Sequence, residues 1–203
     1  VTWRIIIPWS LVVFRLILGP VIVLASSREP GPELWLGILF LSGPISDIYD
    51  GVLARRFGTA TAALRISDTI VDIVFYLFVL IAVLIINTPA IHHRLWLVGS
   101  VMALEAARLL LDLIKFGRIA SYHAYSAKLF GLFLMLAVGS LFSFKRDTWL
   151  LTAALIFGIL SELEGLAFSI LLPEWVHDVK TLSCALELRR KLLESRLPHV
   201  HAG

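Results

Sequence analysis

Four aspartates lie in two apolar blocks of the sequence, at spacings that put their carboxylates on helix faces. They are Asp47 and Asp50 in SDIYDGVLARRFG, and Asp68 and Asp72 in RISDTIVDIVFYL. Residues three or four apart share one face of a helix. A carboxylate at the centre of a membrane helix costs roughly 2.5–3.5 kcal/mol, so such residues are rarely present without a function. We call these four residues the aspartate cluster.

The chemistry that this cluster predicts is a divalent metal site. Four carboxylates in a low dielectric repel one another unless cations neutralise them. Mg²⁺ is typically held by carboxylates together with substrate phosphates. Two such ions suit displacement at phosphorus, because they stabilise both the attacking and the leaving oxygen. Gly51 and Ala54 share the face of the first two aspartates and leave room for a ligand. The alternative, polar residues that only hold helices together, suits one aspartate better than four.

The elements that must position the cluster are predicted to be membrane-spanning helices. Of the 203 residues, 59% are hydrophobic and only 16% are charged, whereas soluble domains have about 25% charged residues. The apolar residues form blocks near the length of about 20 residues that a helix needs to cross a bilayer. The blocks are 9–26, 34–53, 66–87, 94–114, 125–144 and 149–172. The predicted fold class is therefore all-α, a polytopic integral membrane protein with six transmembrane helices.

The distribution of basic residues predicts how these helices are oriented. Most Lys and Arg residues outside the blocks fall on the side that holds both termini, which predicts an N-in/C-in topology. The aspartate cluster then faces the cytoplasm from the cell membrane. Arg15, inside the first block, is expected to snorkel toward the inner surface. The net charge of +3 gives no indication of nucleic-acid binding.

The sequence predicts two regions. Residues 1–175 form the six-helix transmembrane domain, and residues 176–203 form a cytoplasmic amphipathic tail. The tail either lies on the anionic inner leaflet or packs as a solvated helix on its own domain.

A second polar cluster runs from the fourth apolar block into the fifth. Its candidate ligand-binding residues are Arg108, Lys115, Arg118, Ser126 and Lys128. Lys and Arg side chains bind phosphate groups through charge-assisted hydrogen bonds. A structural role stays open for several of them. Lys115 and Arg118 would then be anchors at the inner surface, and Arg108 would pair with Glu105 or Asp112. The SELEG segment of the last block is left without an assigned role.

The residues around the aspartate cluster resemble the signature of a known family. In order they are Asp47, Asp50, Gly51, Ala54 and Arg55, then Asp68 and Asp72. The pattern D-x-x-D-G-x-x-A-R followed by D-x-x-x-D is similar to that of the CDP-alcohol phosphatidyltransferases. The resemblance implies a homodimer with a six-helix catalytic domain. It also implies transfer of a phosphatidyl or similar group from a CDP-alcohol to an alcohol, with release of CMP.

The resemblance also implies roles for individual residues. The aspartate cluster would bind two Mg²⁺ or Mn²⁺ ions, and Asp72 would also be the catalytic base. Gly51, Ala54 and Arg55 would border the CDP group. The expected donor is CDP-diacylglycerol or another CDP-alcohol drawn from the membrane lipid.

Family members tend to bind the acceptor in the region of the second polar cluster. Glycerol 3-phosphate, inositol phosphate, inositol and serine are all compatible with the motif, and the basic residues favour a phosphorylated alcohol. Leu64 departs from the family pattern, which usually has a second glycine four residues before the third aspartate. Leu64 therefore leaves an inactive relative as one alternative. The acidic residues within the apolar blocks leave a second alternative, a cation transporter or channel with an acidic pathway.

Overall fold

The computed structural model describes residues 2–28, 33–59, 61–120, 122, 124–176 and 179–194, and in these ranges all regular secondary structure is helical. The helices are α1 Thr2–Arg28, α2 Leu34–Phe57, α3 Ala62–His92, α4 Leu95–Phe116, α5 Tyr125–Phe144, α6 Trp149–Leu171 and α7 Leu182–Glu194. Within the described ranges, five of them, α1, α2, α3, α5 and α6, are long and apolar enough to cross a membrane. The all-α prediction is confirmed for this part of the chain.

Helix α4 is the predicted fourth span, but it is not among the five helices that are apolar enough to cross a membrane, so the sixth span remains a prediction. Its 22 residues are long enough to cross a bilayer. Its apolar run is interrupted, however, by Glu105, Arg108, Asp112 and Lys115. Charged side chains at membrane depth need partners inside the protein. The N-in/C-in topology likewise stays a prediction.

Local signals form the turn that joins the two aspartate-bearing helices. Helix α2 ends at Gly58, whose φ of 68° is the left-handed conformation that glycine adopts without steric cost. Thr61 then caps α3, because its hydroxyl accepts a hydrogen bond of 3.2 Å from the Leu64 N–H. The turn is short, so the C-terminal half of α2 and the first turns of α3 lie at the same end of the pair.

Helix α3 breaks close to the predicted end of the third span. Asn87 has non-helical dihedral angles, φ −150° and ψ 71°. Its side-chain oxygen accepts a hydrogen bond of 3.3 Å from the Ala90 N–H, which caps the short segment that follows. Pro89 next to it has no N–H to donate. The long apolar run therefore ends at Asn87, and a short helical segment continues to His92.

The chain divides into two compact units. The first comprises Val1–Leu95 and Gly131–Ala154. In this unit α1 packs against both α2 and α3. Three buried phenylalanines form an aromatic core: the rings of Phe40 and Phe75 are nearly parallel with centroids 6.4 Å apart, and Phe142 meets Phe40 edge-on at 5.6 Å. This core fixes α2 against α3, on the side of the aspartates that is farther from the turn between the two helices.

The second unit comprises Trp96–Phe130 and Leu155–Gly203. Its buried cluster consists of Ala124, Phe168, Leu172, Val179 and Ala185. Helix α7 joins this cluster through Ala185, which fits the packed alternative for the tail, while Leu182, Leu186 and Leu193 stay exposed. Residues 177–178 and 195–203 of the predicted tail lie outside the described ranges.

Gly43 of α2 is expected to tolerate no larger residue. A Cβ atom here would lie 2.4 Å from Cζ of Phe75, whose ring is buried. We expect Gly43→Ala to lower the free energy of unfolding by about 1–3 kcal/mol, as overpacking does. The measurement is the thermal unfolding midpoint in detergent.

Gly131→Ala is the matched control in the same unit, because a Cβ atom there meets nothing within 4 Å. Alanine also favours the helix over glycine, so this variant should unfold at the same temperature as the unchanged protein or slightly above it. Equal midpoints for the two variants would contradict the close approach of α2 to Phe75.

Candidate active site and metal centre

The aspartate cluster converges on one side chain from α1. Arg15 is 1% exposed, and its guanidinium contacts all four carboxylates. Nη1 lies 3.0 Å from Asp47 and also pairs with Asp72. Nη2 lies 2.5 Å from Asp50 and also pairs with Asp68. Helices α2 and α3 thus bring all four aspartates to one point, and α1 supplies the positive charge at that point.

The cluster is enclosed on one side and accessible on the other. The Asp50 side chain is 5% exposed, whereas that of Asp47 is 45% exposed. Asp68 and Asp72 lie between these extremes. Three of the four aspartate side chains are therefore partly open to a ligand, and Asp50 forms the enclosed side of the cluster.

The geometry of the cluster fits a divalent cation. Carboxylate oxygens of Asp47, Asp50 and Asp68 lie within 4.8 Å of one another. Opposite ligands of one Mg²⁺ are about 4.2 Å apart, twice the metal–oxygen distance, so small side-chain movements would bring these oxygens onto one ion. The donors are all hard oxygen ligands, which Mg²⁺ and Mn²⁺ prefer. The contacts of Arg15 also indicate that the cluster can bind a cation, because the four carboxylates already surround its guanidinium.

The expectation that Arg15 snorkels to the inner surface is wrong. Its side chain is buried among the helices and ends at the carboxylates. An arginine within an apolar block needs an anionic partner inside the protein, and the aspartates of the next two blocks were available. The presence of one arginine and four aspartates in neighbouring apolar blocks was the sequence feature that could have predicted this pairing. The spacing of these residues along the chain does not show which of them meet.

The residues predicted to border CDP divide into two environments. The Arg55 guanidinium lies over Gly51, where an added Cβ atom would be 3.4 Å from Nη1. Ala54 is buried and belongs to an apolar cluster with Val12, Leu64 and Val71. Leu64, which replaces the usual glycine, is thus a core residue of this three-helix region.

Comparison with known proteins agrees with this site. The sequence model of the CDP-alcohol phosphatidyltransferase family matches residues 5–179, most of the chain and all of the aspartate cluster. The protein belongs to the CDP-alcohol phosphatidyltransferase family. No curated protein sequence and no solved structure gave a significant match. Members of this family are membrane-integral transferases of phospholipid biosynthesis, and the general reaction is the transfer of a phosphatidyl group. The family uses divalent metal ions.

In this member of the family, Arg108 is the centre of a buried ionic network in the second unit. Its Nη2 donates to Glu105 at 2.7 Å, and its Nε donates to Glu162 at 2.9 Å. Asp112 lies 3.7 Å from Nη1. Arg108 thus contacts both Glu105 and Asp112, the two partners that the sequence offered in the structural alternative. Glu162, to which the sequence assigned no role, is the second direct partner of Arg108.

Asp112 links this network to α6 and to the chain between α4 and α5. It is fully buried and accepts hydrogen bonds from the Ser169 hydroxyl at 2.5 Å and the Ala120 N–H at 3.1 Å. Tyr122 shares a hydrogen bond of 3.2 Å with Ser169. Burial raises the pKa of the Tyr122 hydroxyl above its usual value, which keeps it protonated. Every oxygen of Asp112 thus has a donor from the protein itself.

The other candidate acceptor residues each have a local contact within the second unit. Lys115 donates to the carbonyls of Ser169 and Ile170 at the end of α6, at 2.7 and 2.9 Å. The Arg118 guanidinium stacks 4.1 Å from the Trp175 ring centroid.

The remaining two candidates lie in the first turn of α5. Ser126 donates to Glu164 at 2.5 Å, and the Lys128 ammonium lies 5.1 Å from the Tyr125 ring. Among the five candidates, Lys115, Arg118 and Lys128 are exposed, whereas Arg108 and Ser126 are partly buried beside glutamates.

Removal of the Arg108 charge should strongly destabilise the fold. Arg108→Met leaves Glu105, Glu162 and Asp112 without their shared cation, and breaking a buried pair in this way costs about 3–5 kcal/mol. We expect a clear drop of the thermal unfolding midpoint in detergent.

The same substitution in an exposed pair is the control. Arg190 of α7 pairs with Glu194 at 3.0 Å, but the Arg190 side chain is 81% exposed, so Arg190→Met should change the midpoint little. Similar losses in both variants would show that the Arg108 network contributes no more than a surface ion pair.

Proposed function

We propose that this protein transfers a phosphatidyl group from CDP-diacylglycerol to the hydroxyl of a small polar alcohol, in a reaction that requires Mg²⁺ or Mn²⁺ and releases CMP. The observation that carries the proposal is the convergence of four carboxylates from α2 and α3 at one accessible point. A site with this much negative charge suits a pyrophosphate substrate only when divalent cations accompany it.

An apolar groove between α1 and α2 supports a lipid donor over a small soluble CDP-alcohol. Its volume is about 580 Å³. It is lined by Ile7, Leu11, Ile38, Leu41, Ser42, Ile45, Ser46, Tyr49 and Leu53. Ser46 and Tyr49 immediately precede Asp47 and Asp50 in the chain. An acyl chain in this groove would hold the donor beside the carboxylates, with its CDP group toward Gly51, Ala54 and Arg55.

The proposed chemistry assigns Asp72 as general base. One carboxylate oxygen of Asp72 takes the proton of the acceptor hydroxyl, and the hydroxyl oxygen forms a bond to the β-phosphorus of the donor. The bond from that phosphorus to the bridging oxygen breaks, and CMP leaves with the electron pair. Asp47, Asp50 and Asp68 would hold the cations together with Asp72. When bound, two divalent ions neutralise the pyrophosphate and stabilise the attacking and leaving oxygens.

We assign acceptor binding to the second polar cluster: Arg108, Lys115, Arg118, Ser126 and Lys128. The exposed cations among them, Lys115, Arg118 and Lys128, are suited to contact a phosphate. Arg108 and Ser126 already bind glutamates, so they would act by positioning those groups. This division supports a phosphorylated acceptor, such as glycerol 3-phosphate or inositol phosphate, over inositol or serine.

The proposed setting is the cytoplasmic membrane, with a homodimer of six-span protomers and the aspartate cluster facing the cytoplasm. Helix α4 would be the sixth span, because its charges have partners in the second unit. The basic turn after α2 and the C-terminal α7 would then lie inside, in agreement with the positive-inside rule.

Leu64 supports one competing proposal, an inactive relative. Its side chain is 6% exposed and belongs to the same apolar cluster as Ala54. A nucleotide that needs the space of the usual glycine would meet this leucine. Activity would then be lost although the carboxylates still bind metal.

The test is CMP release by purified protein supplied with CDP-diacylglycerol and Mg²⁺ or Mn²⁺. We expect release with a phosphorylated acceptor, loss of release after chelation, and recovery when either ion is added back. The panel contains glycerol 3-phosphate, inositol phosphate, inositol and serine. Metal binding without CMP release for any acceptor would favour the inactive relative, and cation flux in vesicles would favour the transporter.

Two single substitutions test the assigned carboxylates. Asp68→Asn and Asp72→Asn should each reduce CMP release by about 100-fold or more, since a general base alone contributes 10²–10⁴-fold. Both variants should remain folded in detergent. Asp147→Asn is the control: Asp147 pairs with Arg94 at 2.8 Å, outside the cluster, and its loss should leave CMP release intact. Full activity of either cluster variant would overturn the site assignment.

A further inference from the structure

Arg15 is bound in a way that brings it into competition with the proposed metals. Its two Nη nitrogens contact all four carboxylates. Nη2 in particular is held by Asp50 and Asp68, which are two of the three aspartates whose oxygens approach within 4.8 Å. A cation coordinated by those oxygens needs the space that Nη2 fills. The guanidinium and the cation would also repel each other at such short range.

The charge balance of the cluster favours exchange over permanent occupation by Arg15. One guanidinium carries a single positive charge, whereas the four carboxylates would carry four negative charges if all were ionised. A divalent ion supplies twice the charge of Arg15 in a smaller volume. The cluster therefore has enough unneutralised charge to draw in cations, and Arg15 supplies only part of what it needs.

The remaining donor of Arg15 is not satisfied. Its Nε–H is buried and has no hydrogen-bond partner among the described residues. A buried donor without a partner disfavours the arrangement that leaves it unpaired. The guanidinium is thus held at its Nη end alone.

We propose that Arg15 is an exchangeable internal counter-ion, which stabilises the aspartate cluster when metal is scarce and is displaced when divalent ions bind. This inference rests on the proposed metal site and adds its regulation. Because the two cations compete for the same oxygens, Arg15 weakens the apparent metal affinity and sets the concentration at which the site loads. By linkage, metal binding loosens the hold of the cluster on Arg15 to the same extent.

The experiment measures Mn²⁺ binding by electron paramagnetic resonance of free Mn²⁺, with purified full-length protein in detergent. We expect Arg15→Gln to lower the Mn²⁺ Kd about tenfold or more, within the usual range of coupling between sites. The chelator-treated variant should also unfold at a lower temperature than the unchanged protein, because its carboxylates repel one another without a counter-ion. Added Mn²⁺ should restore the midpoint, which gives a larger metal-induced shift than in the unchanged protein.

Two further variants keep the test decisive. Arg28→Gln removes a charge from the last residue of α1, which is exposed, and should leave the Mn²⁺ Kd unchanged. Arg15→Lys keeps one charge but loses the planar guanidinium that reaches four carboxylates. Its Mn²⁺ Kd should therefore lie between that of the unchanged protein and that of Arg15→Gln. If Arg15→Gln does not fold, the Kd of Arg15→Lys decides the matter, and a value at or above that of the unchanged protein overturns the proposal.

The role of Arg15 and the metal site can fail separately. Equal Mn²⁺ affinity in the unchanged protein and in Arg15→Gln overturns the competition but leaves the metal site standing. Absence of Mn²⁺ binding in every protein, including the unchanged one, overturns the metal site and the inference with it.

Discussion

The arrangement of the first three helices depends on one electrostatic constraint, the pairing of four carboxylates with a single guanidinium. Asp47, Asp50, Asp68 and Asp72 would repel one another strongly in an apolar setting. Arg15 relieves part of that repulsion by contacting all of them. Helix α1 must therefore lie against both α2 and α3, and the aromatic core around Phe40 and Phe75 fixes the last two together. The negative charge that Arg15 leaves over is what makes the centre suitable for metal and phosphate chemistry.

The second unit pairs its buried charges differently, and the contrast distinguishes carboxylates that stay open to a ligand from carboxylates that stabilise the fold. Arg108 also faces several carboxylates, and it donates directly to Glu105 and Glu162. Asp112 is the clearest case, because a serine hydroxyl and a backbone N–H occupy its two oxygens and it has no exposed surface. In the aspartate cluster, by contrast, three carboxylates keep part of their surface open. Exposure and unfilled acceptor capacity, rather than the number of acidic residues, mark where a ligand can bind.

The same helices serve the lipid and the charged part of the proposed substrate. Helices α1 and α2 form an apolar groove whose lining includes Ser46 and Tyr49, the residues just before Asp47 and Asp50. The carboxylates come from α2 and α3. A donor with acyl chains and a pyrophosphate needs this combination on adjacent surfaces. Leu64 bears on the middle of such a substrate, because it fills apolar space in the cluster that contains Ala54. In the proposed function, the shape of this region would influence which CDP-alcohols can bind.

Spacing within single helices was enough to predict much of this protein. The alternation of apolar blocks and turns predicted an all-α membrane protein, and the intervals within SDIYDGVLARRFG and RISDTIVDIVFYL predicted shared faces for the aspartates, because a helix turns every 3.6 residues. The partner of those aspartates was not predictable in this way. Arg15 meets Asp50 across 35 positions and Asp72 across 57, and Glu162 meets Arg108 across 54. Such contacts depend on which helices pack together, and helical periodicity carries no information about pairs so far apart. The sequence alone therefore determined which carboxylates lie on which helices, and the tertiary structure decided that the Arg15 guanidinium lies among them.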